Sequence, residues 1–384
     1  MIGLDKRIAG ACLLTLSAVL TSAWAPTVVA EIPAARAPTS FPAPPPATPA
    51  ATSERPARKA SPTPQKKTAA KKTSTKKKSA KKAVVKKKKK SSAKLRKTKR
   101  HSTYTPPASV GQKLGLRSTR DELAIQSSVA LVVDQQTGEV LYAKNAKTAL
   151  PIASLTKLMT ALVIVEAGQP LDEVLEISRE DVDTEKHSQS RLAIGSKLSR
   201  EDLLLLALMS SENRAASALG RHYPGGLSAF VTAMNRRAVS LGMQHSAFSD
   251  PTGLSPRNTA TAEDLVRLTN AAYQHRLIRE FSTRKEHTVR ARKQLLQFGT
   301  SNRLVRSGQN WDIGLQKTGF TNEAGRCLIM QATVNERPLA MVFLDSTGTL
   351  TRYGDAARVR SWVQRHASDE QASRGRDRSS QSAS

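Results

Sequence analysis

Cysteine is almost absent: Cys12 lies in an apolar stretch near the N-terminus and Cys327 stands alone far along the chain. Two cysteines so placed exclude a disulfide framework and a thiolate metal centre. Cys327 reads as a small buried residue. Acids are scarce at one end. Residues 1–110 hold about 25 Lys and Arg against about three Asp and Glu, so most of the formal charge of +30 belongs to that segment. Aromatic residues make up 4 % of the chain. None interleaves the lysines of residues 66–100, which disfavours stacking on nucleic acid and leaves only generic phosphate contact. The first hundred residues also hold few Leu, Ile and Val. These gather after about residue 122, enough for one globular domain of roughly 240–260 residues.

The N-terminus carries an address. Lys6 and Arg7 precede the largely apolar run Ile8–Trp24, and Val28-Val29-Ala30 offers small residues for cleavage before Glu31. This is the pattern of a signal peptide over residues 1–30. A membrane anchor is the competing reading, weakened by a short run that Thr15, Ser17, Thr21 and Ser22 interrupt. Export to the periplasm is therefore expected.

Residues 31–110 form an extension with two characters. The first part is rich in Pro, Ala and Thr, as in Phe41-Pro42-Ala43-Pro44-Pro45-Pro46. It cannot bury a core and is expected to be extended. The second part, residues 66–100, includes the run Lys86–Lys90 and is expected to stay disordered through self-repulsion. On an exported chain such a segment is either a solvated spacer or a tether to anionic lipid, lipopolysaccharide or wall polymer.

The remaining chain reads as strands at both ends with helices between. Val129–Val133 and Val140–Tyr142 suggest a hairpin turning at Gln135–Gly138. Leu155, Leu158, Met159, Leu162 and Val163 recur at helical spacing, ending at Gly168 and Pro170. Ser199 and Thr261 each open a capping signal. Cys327–Val334 and Leu339–Asp345 read as a strand pair, and Ala356–His366 as a last helix. The catalytic domain is expected over residues 120–366, followed by a disordered polar tail over 367–384.

Three short elements carry chemistry. Ser154-Leu155-Thr156-Lys157 opens a predicted helix, where positions i and i+3 share a face. The Lys157 amine can then take the proton of Ser154 Oγ, provided burial or a second cation lowers its pKa. The helix N-terminus puts backbone N–H groups beside the attacked carbonyl. Ser211-Glu212-Asn213 interrupts two apolar helices; Ser211 can relay a proton and Asn213 can hold a substrate carbonyl. Lys317-Thr318-Gly319, expected just before a strand, can grip a carboxylate while Gly319 admits the substrate backbone. The N–H of Phe320 is placed to be the second oxyanion donor. Each element alone is weak, since S-x-x-K is common by chance. In this order they form the active-serine pattern of β-lactamases and penicillin-binding proteins.

The chain resembles the low-molecular-weight penicillin-binding proteins, and most closely their D-alanyl-D-alanine endopeptidase branch. The likeness runs from about Ala124 to His366. It includes Ala207–Ala216, His222-Tyr223-Pro224-Gly225-Gly226, Asp250-Pro251-Thr252-Gly253-Leu254-Ser255 and Lys317–Leu328. The resemblance implies an α+β fold like that of β-lactamases and DD-peptidases, with a five-stranded antiparallel sheet, helices on its faces and a helical cluster. It implies an acyl-enzyme on Ser154, with Lys157 as base, Ser211 and Asn213 assisting, and Lys317 and Thr318 holding the substrate. It implies peptidoglycan as substrate, β-lactams as inhibitors, and neither cofactor nor metal. Two departures stand out. Glu212 replaces the glycine of the carboxypeptidases, as in the endopeptidase branch. The carboxypeptidases carry a second β domain and an amphipathic C-terminal anchor, whereas the residues after Trp362 here read as a polar tail, and the lysine-rich extension is outside the family pattern.

The leading expectation is a DD-endopeptidase opening D-alanyl-meso-diaminopimelyl cross-links. A DD-carboxypeptidase trimming terminal D-Ala is the runner-up. A β-lactamase would need a water-activating residue that the sequence does not reveal. A non-catalytic envelope or nucleic-acid-binding protein built around the lysines would leave the serine and lysine motifs unexplained.

Overall fold

The computed structural model describes residues 107–308 and 311–381, with side chains as far as His366. The expected signal peptide and nearly all of the basic extension lie outside the described residues. The chain divides into two units, residues 1–95 and 96–384, and every described residue belongs to the second.

Folded structure begins with the short helix α1 (Val110–Lys113), capped by Ser109 Oγ. Strands β1 (Ser127–Asp134) and β2 (Val140–Lys144) form the expected hairpin. The chain then makes β3 (Leu150–Pro151), a single 3₁₀ turn over Ala153–Leu155, and α2 (Thr156–Glu166). A small pair, β4 (Val174–Glu176) with β5 (Lys197–Ser199), leads into α3 (Arg200–Met209) and α4 (Asn213–Arg221). Next come α5 (Gly226–Ser240), β6 (Thr259–Ala260), which pairs with β3, and α6 (Ala262–Tyr273). Helix α7 (Arg276–Thr283) precedes the hairpin of β7 (Glu286–Ala291) and β8 (Gln294–Gly299). After α8 (Arg303–Ser307), strands β9 (Asp312–Thr321), β10 (Gly325–Val334) and β11 (Arg337–Ser346) run in succession, and α9 (Thr351–Gln381) follows.

The main sheet has the order β2-β1-β11-β10-β9, every pair antiparallel. This is the expected five-stranded α+β architecture. Both faces of its centre are buried because two layers cover it. Alternate side chains point to opposite faces of a strand. Val129, Leu131, Val133, Ile329, Val342 and Leu344 pack with the helical cluster. Ala130, Val132, Leu328, Met330, Met341 and Phe343 pack under Tyr353, Ala356, Val359 and Val363 of α9. That two-sided burial explains why β1 reads as a continuous apolar run. Helix α2 threads the cluster with Thr156 through Ile164 buried, so it is covered all round rather than on one stripe, with Lys157 and two threonines among its buried residues.

Three local expectations need correction. Lys317-Thr318-Gly319 does not precede a strand but lies within β9, paired to Ile329, Leu328 and Cys327 of β10. The first half of β9, Asp-Ile-Gly-Leu-Gln, has weak intrinsic strand preference, and pairing with β10 overrides it. Helix α9 does not stop near His366 but continues to Gln381, through most of the tail expected to lack order. No proline interrupts residues 351–381, and extending a helix whose first turns are anchored by packing is far easier than starting one. Ordered structure also begins ahead of residue 120, because Arg117 pairs with buried Asp345 at 3.0 Å and ties the preceding turn to the sheet.

Candidate active site

The site forms where the N-terminus of α2 meets the end strand of the sheet. Strand β9 is an end strand, and its Gly319 runs close against the turn that carries Ser154. A Cβ added at Gly319 would stand 3.1 Å from Ser154 N and 3.0 Å from Ile152 O, so a side chain there would push the strand away from the nucleophile. Ala153, immediately before Ser154, has φ of +48°, a left-handed conformation that is unfavourable for a residue with a side chain. Gly253 fits over that bend. A Cβ there would fall 1.9 Å from Ala153 O, and Gly253 itself has φ of +78°. Thr156 Oγ1 donates to the same carbonyl at 2.8 Å.

Lys157 Nζ lies 2.9 Å from Ser154 Oγ, 2.7 Å from Asn213 Oδ1 and 2.6 Å from Thr252 O. The lysine has no exposed surface. Burial pushes its amine down to about 7, against the upward pull of the Asp250, Glu212 and Asp183 carboxylates. An amine titrating there is about half neutral at pH 7, and its neutral form can accept a hydroxyl proton. The segment that supplies Thr252 O is itself tied down by Asp250. That carboxylate accepts from the N–H groups of Thr252 and Gly253, each at 2.7 Å, from Ser255 N at 3.1 Å, and from the Asn258 side-chain amide.

The second lysine is arranged in parallel. Lys317 Nζ donates to Ser211 Oγ at 2.8 Å and to Thr318 O at 2.7 Å, again with no exposed surface. Burial holds its pKa well below the usual lysine range, and the charges of Lys157 and Arg352 lower it further. Ser211 has φ of +64°, which turns the chain sharply between α3 and α4. Asn213 opens α4, and its Nδ2 donates to Ser188 Oγ at 2.8 Å. Thr318 Oγ1 donates to Ser301 Oγ at 2.7 Å. Phe320 is 52 % exposed, with Arg326 stacked over its ring at 4.4 Å. All eight predicted site residues therefore fall in one region. Among the described residues no group of three His, Cys, Asp or Glu is placed to hold a metal ion.

Residues 116–348, more than half of the chain, match the Peptidase S11 family, described as D-alanyl-D-alanine carboxypeptidase. The chain belongs to that family. Within it, the chain is 48 % identical over 262 residues to a D-alanyl-D-alanine endopeptidase of Pseudomonas aeruginosa, covering 68 % of this chain and 82 % of that protein. It is 45 % identical over 254 residues to the D-alanyl-D-alanine endopeptidase of Escherichia coli, covering 66 % and 82 %. Among solved structures it superimposes on the Streptomyces K15 DD-transpeptidase with a TM-score of 0.58 at 26 % identity, over 62 % of this chain and 97 % of that one. An ampicillin-bound penicillin-binding protein D2 from Listeria monocytogenes gives a TM-score of 0.54 at 30 % identity, over 62 % and 97 %.

Several side chains at this S11 site are missing from the sequence motifs. Ser188 comes from a loop and Ser301 from the turn after β8. Arg352, at the start of α9, has only 7 % exposure. It contacts Tyr353 and Thr349, its Nε has no partner, and its charge acts on Lys317. Nothing in the sequence near Arg352 marks it, since it reaches the site only because α9 packs beneath the sheet. Thr252 acts through its backbone carbonyl, which leaves no side-chain signature.

Proposed function

We propose that this protein is a penicillin-sensitive serine DD-endopeptidase that hydrolyses D-alanyl cross-links of peptidoglycan. The single observation that carries the reading is the 2.9 Å contact between Ser154 Oγ and a buried lysine amine of depressed basicity. The endopeptidase names of the relatives at 48 % and 45 % identity favour this specificity within the family.

In this reading Lys157 takes the proton of Ser154 as Oγ attacks the D-Ala carbonyl. The Ser154 and Phe320 N–H groups receive the developing oxyanion. The proton taken by Lys157 is handed on through the Ser211 hydroxyl, which Lys317 holds, to the leaving amine as the C–N bond breaks, so that Lys157 is neutral and Ser211 protonated again. Water then attacks the acyl-enzyme with Lys157 again as base, returning Ser154. Asn213 leaves Ser188 to hold the carbonyl of the acyl donor. Thr318, Lys317 and Arg352 receive the carboxylate beyond the scissile bond, and Gly319 admits the substrate backbone. A β-lactam follows the first half of this path and stalls as the acyl-enzyme; the ampicillin-bound relative is consistent with that inhibitor class.

The second reading is a DD-carboxypeptidase. A relative named D-alanyl-D-alanine carboxypeptidase, from Bacillus subtilis at 32 % identity, supports it, as does the description of the family itself. Mass spectrometry separates the two. Residues 31–384 are incubated with a cross-linked tetrapeptide dimer and with a pentapeptide monomer, Ser154→Ala serving as control. Conversion of dimer to monomers is the expected result. Loss of one D-Ala from the pentapeptide alone makes the second reading correct. Export to the periplasm and tethering by residues 66–100 to an anionic envelope surface complete the proposal, resting on charge and sequence pattern alone.

A further inference from the structure

An ion pair closes one end of the cleft. Lys186 Nζ meets Glu323 Oε1 at 2.5 Å, although the two residues sit on opposite walls. Lys186 belongs to the loop between the 3₁₀ turn Arg179–Asp181 and β5, which also carries Ser188, the partner of Asn213. Glu323 lies in the turn between β9 and β10, three residues beyond Phe320. Both ends are held by backbone contacts. Asp183 accepts from the N–H groups of Glu185, Lys186 and Ser188 at 2.8–2.9 Å. Glu323 O accepts from Val110 N at 2.9 Å. The two charges are thus presented at fixed positions. Their side chains are 30 % and 33 % exposed, accessible to a ligand yet partly out of water.

The location selects which part of a substrate arrives there. If the carboxylate beyond the scissile bond lies at Lys317, Thr318 and Arg352, an extended substrate along the edge of β9 runs its acyl-donor side past Phe320 toward Glu323. Residues of an extended chain advance by about 3.4 Å each. The residue before D-Ala, if its side chain is long, then brings its terminus to the ion pair.

We propose that Lys186 and Glu323 together form a docking subsite for a zwitterionic side-chain terminus on the acyl-donor stem, an ammonium and a carboxylate on one carbon, as meso-diaminopimelate carries. The inference rests on the DD-peptidase reading and deepens it by assigning specificity at the third residue of the donor. The ligand's carboxylate replaces Glu323 on the Lys186 ammonium, and its ammonium takes the Glu323 carboxylate. Each lost charge is exchanged for an equivalent one, so the pair can open without leaving either residue unpaired.

The test compares kcat/KM for three cross-linked dimers whose donor stems carry meso-diaminopimelate, lysine or norleucine at the third residue. Lysine lacks the terminal carboxylate and norleucine lacks both charges. The wild type is expected to prefer the diaminopimelate dimer over the norleucine dimer by about tenfold or more. The double variant Lys186→Met/Glu323→Gln removes both charges, and in it the ratio is expected to fall to about one. Loss of a clasp with only a structural role would slow all three dimers alike and leave the ratio unchanged, so an unchanged ratio overturns the inference, as does a wild type without preference. Failure to cleave any dimer while still taking up penicillin would instead overturn the endopeptidase reading beneath it.

Discussion

Lys157 and Lys317 are both fully buried in one site, and the charge of the first depresses the basicity of the second. Each amine is hydrogen-bonded to a different serine hydroxyl, Ser154 and Ser211 respectively. Two ammonium groups without solvent would repel and lack hydration, so the site favours losing a proton. The proton lost to that repulsion is the one on Lys317, while burial on its own brings Lys157 down to about 7 and leaves a share of free base beside the nucleophile at neutral pH. An incoming carboxylate supplies the counter-charge that Lys317 otherwise lacks.

A pH profile of acylation follows from this. Lys157 must be neutral to accept the Ser154 proton, so the rate of penicillin acylation is expected to rise with pH through about 7 and level off above it. Stopped-flow labelling across pH 5–9 reads the limb. Lys157→Ala should reduce acylation by about 10²- to 10⁴-fold and remove the limb. A wild-type rate independent of pH through this range would contradict the assignment of Lys157 as base.

Gly253 should be intolerant of a single added methyl group. The new Cβ would collide with Ala153 O, and alanine would also have to adopt φ of +78°. Gly253→Ala is expected to cost about 2–4 kcal/mol of stability and to slow Ser154 acylation by more than tenfold, because the bend before the nucleophile must move. Thermal unfolding and penicillin labelling measure the two effects. Normal labelling would show that the Ala153 bend is not required.

Arg352 gives a prediction about substrate rather than chemistry. If its guanidinium receives the carboxylate beyond the scissile bond, Arg352→Gln should raise KM for a peptide ending in a free carboxylate by about 10- to 100-fold. A peptide amidated at that end should be a poor substrate for the wild type and lose little further in the variant. Equal losses on both peptides would assign Arg352 a packing role against Tyr353.

Arg352 also marks where the sequence stops being legible. The serine and lysine motifs could be read because each places its chemistry on side chains at fixed local spacing. The sheet could be read because β1, β10 and β11 are long apolar runs, with a turn signal before β2 and before β11. Other parts have no local signature. Thr252 contributes a backbone carbonyl, and Ser188 and Ser301 are single polar residues in loops. The β7–β8 hairpin escaped because most of its side chains are exposed and polar, leaving only Val289, Ala291 and Phe298 buried. The start of β9 depends on pairing with β10 rather than on its own composition.

The depressed amine of Lys157 must also appear in the pH dependence of folding. In an unfolded chain the amine titrates near 10.5, and in the folded protein at about 7. Below pH 7 both states carry the proton, and the fold bears the full penalty of burying the charge. Above pH 10.5 neither state carries it, and the penalty is gone. Between these limits the unfolded chain binds more protons, so the contribution of this group to stability increases with pH. Lys157→Met removes the titration but leaves Asn213 Oδ1 and Thr252 O without their donor, an effect that does not depend on pH. The sign of the stability difference at one pH is therefore uninformative, and its change with pH is decisive. Urea unfolding of both proteins at pH 7 and pH 9.5 should show the wild type gaining a few kcal/mol on the variant at the higher pH. A constant difference would mean that Lys157 keeps an ordinary basicity in the fold and cannot be the neutral amine beside Ser154.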